Sequence, residues 1–358
     1  MANPVLNLII GSYTTNGTEG IYVYRFNTEN GELSYLNRTA VGIDNPTYLC
    51  VAANNRFIYS VNEVGVNSTG GISAFSFDPV DGTIHLLNTQ PSGPGPCYIS
   101  VDKAQKHVFA ANYEGGSVYA FPINTDGSLG KAKQIIQLKG SGPDSGRQEK
   151  SHVHIAMLSP DENHLLYTDL GDDTLHVYRY NPNHSNILTP LTPSATALPP
   201  GDGPRHVAFT PNHKYLYLVS EMGGNVFAYD YNNGQPQHIQ TISMLAEGFD
   251  GEISGGDIHI SPNGRFVYAS NRGDANEIIV FKINPLDGKL TLVQRQSSGG
   301  KEPRNFVIDP AGNYLLVANQ KENKVVVFTI DAETGALLPT PIAIEIDSPS
   351  CLKFTPIN

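Results

Sequence analysis

Val226-Phe-Ala-Tyr229 decides the fold, because the same short pattern returns along the whole chain. It recurs as Ile21-Tyr-Val-Tyr24, Ile72-Ser-Ala-Phe75, Val118-Tyr-Ala-Phe121, Leu175-His-Val-Tyr178, Ile278-Ile-Val-Phe281 and Val325-Val-Val-Phe328. The closing aromatic steps by 51, 46, 57, 51, 52 and 47 residues, so a pitch near 50 holds over seven copies. A fixed period of that length marks a repeat architecture. Six copies are followed by a tight-turn dipeptide: Asn30-Gly31, Asp81-Gly82, Asp126-Gly127, Asn233-Gly234, Asp287-Gly288 and Thr334-Gly335. These residues supply the positive φ that short hairpins demand. The fourth copy departs, with Asn183-His184-Ser185-Asn186. Upstream of the aromatic lies a further strand pair, as in His206-Val-Ala-Phe209, a Pro211-Asn212 turn and Tyr215-Leu-Tyr-Leu-Val219. No stretch sustains a helical period. Each unit therefore reads as four short antiparallel strands, which is one blade of a β-propeller. Stacked sandwiches, the competing all-β reading, carry no such period.

The ends of the chain complete the pattern. The innermost strand of successive blades opens at Pro46, Pro96, Val153, Pro204, Gly255, Pro303 and Pro349, and only Ser350 to Asn358 follow the last of these. The chain thus starts with three strands of a blade and ends with the missing one, which closes the ring and removes free sheet edges. The predicted fold is all-β: a seven-bladed β-propeller, four antiparallel strands per blade, forming a single domain over 1–358. Such folds exceed the usual size of one domain without splitting. The absence of Trp excludes the WD40 variety. Two Gly/Pro/Ser-rich stretches, Gly140–Lys150 and Leu191–Gly201, flank the third blade and read as long loops, a frequent seat of function.

Composition removes other classes. With 39% hydrophobic and 16% charged residues the chain is too apolar for disorder. No apolar run approaches the ~20 residues that span a bilayer. Lys and Arg number 23 against 34 Asp and Glu, and the net charge of −11 opposes contact with nucleic acid or an anionic membrane. Cys50, Cys97 and Cys351 stand in strand-like stretches and read as small core residues of a reduced compartment. Residues 1–10 lack the basic start and apolar run of a signal peptide, so a cytoplasmic protein is expected. No P-loop, dinucleotide fingerprint or Gly-x-Ser-x-Gly elbow is present.

A repeat forces structural residues into every copy, so residues that differ between copies need another explanation. After the strand-opening column the copies read Thr47, Cys97, His154, Arg205, Gly256, Arg304 and Ser350. The first two strands of a blade are antiparallel, which puts the start of one and the end of the next at the same rim. That logic brings Arg205 to Glu221 and gathers His154, Arg304, Asn62, Asn112, Asp169, Asn271 and Arg272 around one mouth of the channel. Three guanidiniums there suit phosphate or carboxylate. Glu221 and His154 are able to exchange protons near neutral pH. His206 and His259 lie in inner strands, where Asp257 is placed to orient one of them. His152-Val-His154 has a spacing that metal sites use, but no third ligand follows from spacing. Asp169-Leu-Gly-Asp172-Asp173 resembles a calcium-loop fragment without the rest of the pattern and reads as turn chemistry.

Gly203-Pro204-Arg205-His206, Ser220-Glu221, Gly256-Asp257-Ile258-His259, Asn271-Arg272 and Glu302-Pro303-Arg304-Asn305-Phe306 resemble the seven-bladed propeller lactonase family. That family includes the bacterial propeller-type 6-phosphogluconolactonase and the fungal carboxymuconate lactonizing enzyme. The resemblance covers essentially the whole chain, from Gly11-Ser12-Tyr13-Thr14 onward. It implies His154, Arg205, Glu221 and Arg272 as catalytic residues, no metal and no cofactor. Arg304, Asn112, Asp169, Asn271, His206 and Asp257 are the candidate substrate contacts. The implied reaction is hydrolysis of a sugar-acid lactone, foremost 6-phosphogluconolactone to 6-phosphogluconate, a step of the pentose phosphate pathway. A carboxymuconate-type cycloisomerase, and a non-catalytic scaffold or sugar-binding module, are the alternatives. The expected partner is a small anionic lactone, with the chain a monomer or weak homo-oligomer.

Overall fold

In the computed structural model, residues 5–14, 19–39, 43–64 and 69–357 are described. The described strands pair into seven four-stranded antiparallel sheets, the blades of a propeller. The innermost strands are Leu49–Val51, Pro96–Val101, Val153–Leu158, Pro204–Phe209, Gly255–Ile260, Pro303–Ile308 and Pro349–Pro356, and these open blades one to seven. Pro349–Pro356 pairs with Val5–Ser12, which continues to Ile21–Asn27 and Leu33–Thr39. The C-terminal strand also packs against the innermost strands of blades six and one. The ring therefore closes through the predicted exchange of end strands. The expectation about a leader rests partly on residues 1–4, which lie outside the described residues.

Burial grades outward along each blade. Second strands such as Phe266–Asn271 and Tyr314–Asn319 are buried at every position, because sheet lies on both sides and a blade on each face. Outer strands such as Leu337–Glu345 alternate, with one face toward solvent. The turn glycines act as predicted: Gly31, Gly82, Gly127, Gly234, Gly288 and Gly335 all have φ between 72° and 86°. They also join blades. Tyr59, Tyr217 and Tyr268 donate from their hydroxyls to the carbonyls of Gly127, Gly288 and Gly335 in the next blade, at 3.1, 2.8 and 2.9 Å. A second latch repeats on the outer strands. Side-chain amides of Asn88, Gln134, Gln240 and Gln294 each bond both the N–H and the C=O of one residue in the next blade: Leu129, Leu188, Leu290 and Leu337.

One sequence expectation is corrected. Leu191–Gly201 is not a loop throughout, since Leu188–Ala197 forms the outermost strand of blade three. Its register breaks opposite His176 and Tyr178. An outermost strand tolerates Pro190 and Pro193 because half of its N–H groups face no partner strand.

Candidate active site

The innermost strands bulge where they open. Pairing skips between Pro96 and Tyr98, Val153 and Ile155, Pro204 and His206, Gly255 and Ile258, and Pro303 and Asn305. A bulge leaves the extra residue out of the ladder and re-aims its side chain. The released residues include Cys97, His154, Arg205, Gly256 and Arg304, the column that varies between repeats. Three of them, together with residues just past the second strands, line a cavity of about 400 Å³ on the propeller axis. Every blade contributes: Tyr13, Glu63, Cys97 with Tyr113, His154, Glu221, Arg272 and Arg304.

Glu221 is the hub. Arg205 Nε lies 3.0 Å and Arg272 Nη2 3.2 Å from Glu221 Oε2, and Arg147 Nη2 reaches Oε1 at 2.5 Å. Burial raises the pKa of this carboxyl, but Arg272, Arg205 and Arg147 outweigh burial and bring it down to about 2. Arg205 is 2% exposed and also donates to the carbonyl of Gly256. Burial, then repulsion from Arg272, lowers it to about 10 despite Glu221. Arg272 also donates to the carbonyl of Gly255 at 2.9 Å and to Glu302 at 3.2 Å.

His154 and Arg304 are less committed. His154 Nε2 stands 3.7 Å from Glu221 Oε2, too far for a hydrogen bond, while its buried Nδ1 has no partner. Burial, reinforced by Arg205, His206 and Arg304, holds His154 well below the usual imidazole range, so the ring is neutral at pH 7. The Arg304 guanidinium approaches Glu63 only to 3.9 Å and lies over the Tyr13 ring at 5.6 Å. Burial opposes its charge, yet Tyr13, Glu63 and Glu221 keep it above its ordinary value. Glu63 itself accepts from Tyr13 at 2.9 Å and from Thr47.

Beneath the cavity lies a second polar layer. His206 Nδ1 is 2.7 Å from Asp257 Oδ1, and His259 Nε2 is 2.9 Å from Oδ2, with Asn305 donating to the same carboxylate. Burial raises the Asp257 carboxyl, but His259 and His206 carry it well below the usual range. Burial and then Arg205 lower His206 to about 4, with its Nε2 buried and unpartnered. The His154 and His206 rings are 5.1 Å apart at 70°.

The predicted residues divide accordingly. His154, Arg205, Glu221, Arg272 and Arg304 converge, and His206 and Asp257 stand directly below them. Asn112, Asp169 and Asn271 do not reach the cavity. Asn112 accepts from Ser92 at 2.6 Å, Asp169 Oδ1 accepts from the N–H groups of His152 and Gly171, and Asn271 accepts from the N–H of Ser254. Asn62 likewise accepts from Ser73. All four end a second strand, whereas the next residue along, as in Glu63, Tyr113 and Arg272, faces the cavity. Successive strand residues point to opposite sides, so a one-residue difference moves a side chain from rim to blade interior. His152 and His154 do not converge: His152 stacks on Tyr113 at 4.4 Å and pairs with Glu149 at 3.2 Å. Sequence reasoning missed Glu63, Tyr113 and Tyr13, which that parity would have given, and Arg147, which the Gly140–Lys150 loop swings in from outside the repeat.

Known proteins share the fold over its whole length. Residues 7–354 match the family described as Lactonase, 7-bladed beta-propeller. The chain belongs to that family. Two similar proteins are the 6-phosphogluconolactonases of Bacillus subtilis, 38% identical over 96% of this chain and 97% of the relative, and Formosa agariphila, 36% identical over 97% and 99%. A structure of the Pseudomonas aeruginosa periplasmic gluconolactonase superposes with a TM-score of 0.94 at 34% identity, covering 99% of this chain and 100% of that one. The lactonase match spans every blade, so each group around Glu221 lies inside it.

Proposed function

We propose that this lactonase-family chain hydrolyses 6-phosphogluconolactone to 6-phosphogluconate, with His154 as general base. The observation that carries the assignment of roles is the convergence of Arg147, Arg205 and Arg272 on Glu221 beside a neutral His154. A carboxylate held at a pKa of about 2 by three guanidiniums is a poor base, which leaves the imidazole. Asp257 accepts hydrogen bonds only, so His206 carries its proton on Nδ1 and offers Nε2 as an acceptor. A His154 with its proton on Nδ1 would satisfy both buried nitrogens through one bridging water and leave the Nε2 lone pair on the side of Glu221 and the cavity. Water attacks the lactone carbonyl while Nε2 takes its proton. Glu221, 3.7 Å away, stabilises the imidazolium. A guanidinium opposite the carbonyl supports the developing oxyanion. The intermediate then collapses, the ring oxygen leaves with the proton from His154, and the new acid ionises.

Arg304 is the cavity guanidinium that makes no hydrogen bond among the described residues and is assigned to the phosphate, with Arg147 as a second cation lining the same cavity. A substrate panel tests the reading: 6-phosphogluconolactone and gluconolactone, each corrected for spontaneous opening. A charge-assisted bond to phosphate is worth about 1.5–3 kcal/mol, so Arg304→Met is expected to lower kcat/KM on the phosphorylated lactone about 10- to 100-fold and leave gluconolactone nearly unchanged. Equal losses on both substrates would remove the phosphate assignment. The phosphorylated substrate and the unpaired Cys50, Cys97 and Cys351 support a cytoplasmic setting. No helix of the described residues is long and apolar enough to cross a membrane.

A further inference from the structure

We propose that Asp169, Asp172 and His176 of blade three hold a divalent cation of the Zn2+ or Mn2+ type, outside the cavity just described. One ligand atom from each of the three lies within 4.8 Å of the others. Asp169 is fully buried, with its Oδ1 engaged by the N–H groups of His152 and Gly171 and the Ser151 hydroxyl beside the carboxylate. Its Oδ2 is buried with no partner, and so is Nε2 of His176. An acceptor and an imidazole nitrogen left unpaired in the same small space are costly unless something sits between them. Ligands of one ion at the bond lengths of zinc stand about 3–4.4 Å apart, which is the spacing of a group confined within 4.8 Å. Asp172 and Asp173 add negative charge within five residues of Asp169, and the charges acting on Asp172 are those two other carboxylates. No lysine or arginine of the described residues pairs with any of the three.

The rest of the surroundings hold the ligands in place. The His176 ring stacks on buried Tyr167 at 4.7 Å and 15°, which fixes its direction. Gly140 passes so close to Asp172 that a Cβ there would meet its Oδ2 at 2.6 Å. Two oxygens and one imidazole nitrogen suit a borderline ion, and neither Mg2+ nor Ca2+ favours the nitrogen. The ion would stiffen the turn after Asp169, and that turn anchors the loop that carries Arg147: Gln148 donates to the carbonyl of Leu170 at 2.8 Å, and the N–H of His152 to Asp169 at 2.7 Å. Asp169 would then serve as an ion ligand rather than as a substrate contact.

The test is metal content of the full chain, stripped with chelator and dialysed against Zn2+ or Mn2+, with Ca2+ and Mg2+ as parallel arms. The expected result is one Zn2+ or Mn2+ per chain, lost in Asp172→Asn and in His176→Phe, which keeps the stack on Tyr167. Circular dichroism of the stripped variants is expected to match the stripped parent. Absence of saturable binding to the unaltered chain overturns the proposal, as does full occupancy in both variants. Uptake of Ca2+ or Mg2+ as tight as that of Zn2+ and Mn2+ overturns the ion class. Lactone opening by the stripped chain is a separate reading, so failure here leaves the proposed hydrolysis untouched.

Discussion

Glu221 and His154 are 3.7 Å apart, yet their surroundings drive them to opposite uses. The carboxylate is surrounded by cations and stays ionised at any working pH, whereas the imidazole is buried among cations and stays neutral. The sign of the pH dependence follows. In the proposed reaction the active form is neutral His154, whose pKa lies below the ordinary 6.5, so kcat/KM is expected to stay flat as pH falls through 6.5. It declines only at lower pH, as the ring takes up its proton. A profile with its midpoint at or above 6.5 contradicts the role of His154. Asp257, bonded to His206, which contacts His154, is proposed as a positioning residue for this base. Asp257→Asn is expected to lower kcat about tenfold or more at unchanged KM, with the acid limb displaced and partial rescue in Asp257→Glu. A purely structural part would lower stability without moving the profile.

At the scale of the element, the strand alternation explains both what the sequence disclosed and what it hid. The repeat disclosed the blades because turn glycines and aromatic columns recur wherever the chain must hairpin and pack. The odd residues after Pro204 and Pro303 were visible because bulges release that position from the ladder, so structure places no demand on it. Asn112, Asp169 and Asn271 looked equivalent to the cavity residues because the sequence shows that a strand ends there but not which side its last side chain takes. Arg147 was hidden for another reason: its loop obeys no period, and its place depends on Gln148 and His152 fastening to the neighbouring turn. Periodic signals also missed the amide latch. Gln240 bonds the C=O and N–H of Leu290 at 3.1 and 2.6 Å, across the seam between blades four and five. Gln240→Ala is expected to cost about 1–3 kcal/mol in urea unfolding, since it leaves both backbone groups unpaired. A change within a few tenths of a kcal/mol would mean that the latch contributes nothing.

The whole molecule is a ring closed by its own ends, and its axis collects buried ionisable groups from every blade. Those groups tie stability to pH. His206 has a folded pKa of about 4 against 6.5 in the open chain, and His154 is lowered in the same direction. Below 6.5 the unfolded chain therefore binds protons that the folded chain refuses, and Glu221 extends the effect between 4.5 and about 2. The melting temperature is expected to hold above pH 6.5 and to fall steadily as pH drops toward 4. A melting temperature constant over that window would contradict this expectation. The proposed chemistry requires that seven sheets deliver one imidazole and a set of guanidiniums to a single cavity. Its most direct test is kcat/KM for 6-phosphogluconolactone, above the spontaneous rate, in the unaltered chain and in His154→Gln. Turnover is expected in the first and a loss of about 10²- to 10⁴-fold in a folded second. No turnover above background in the unaltered chain, or equal rates in the two, would contradict it.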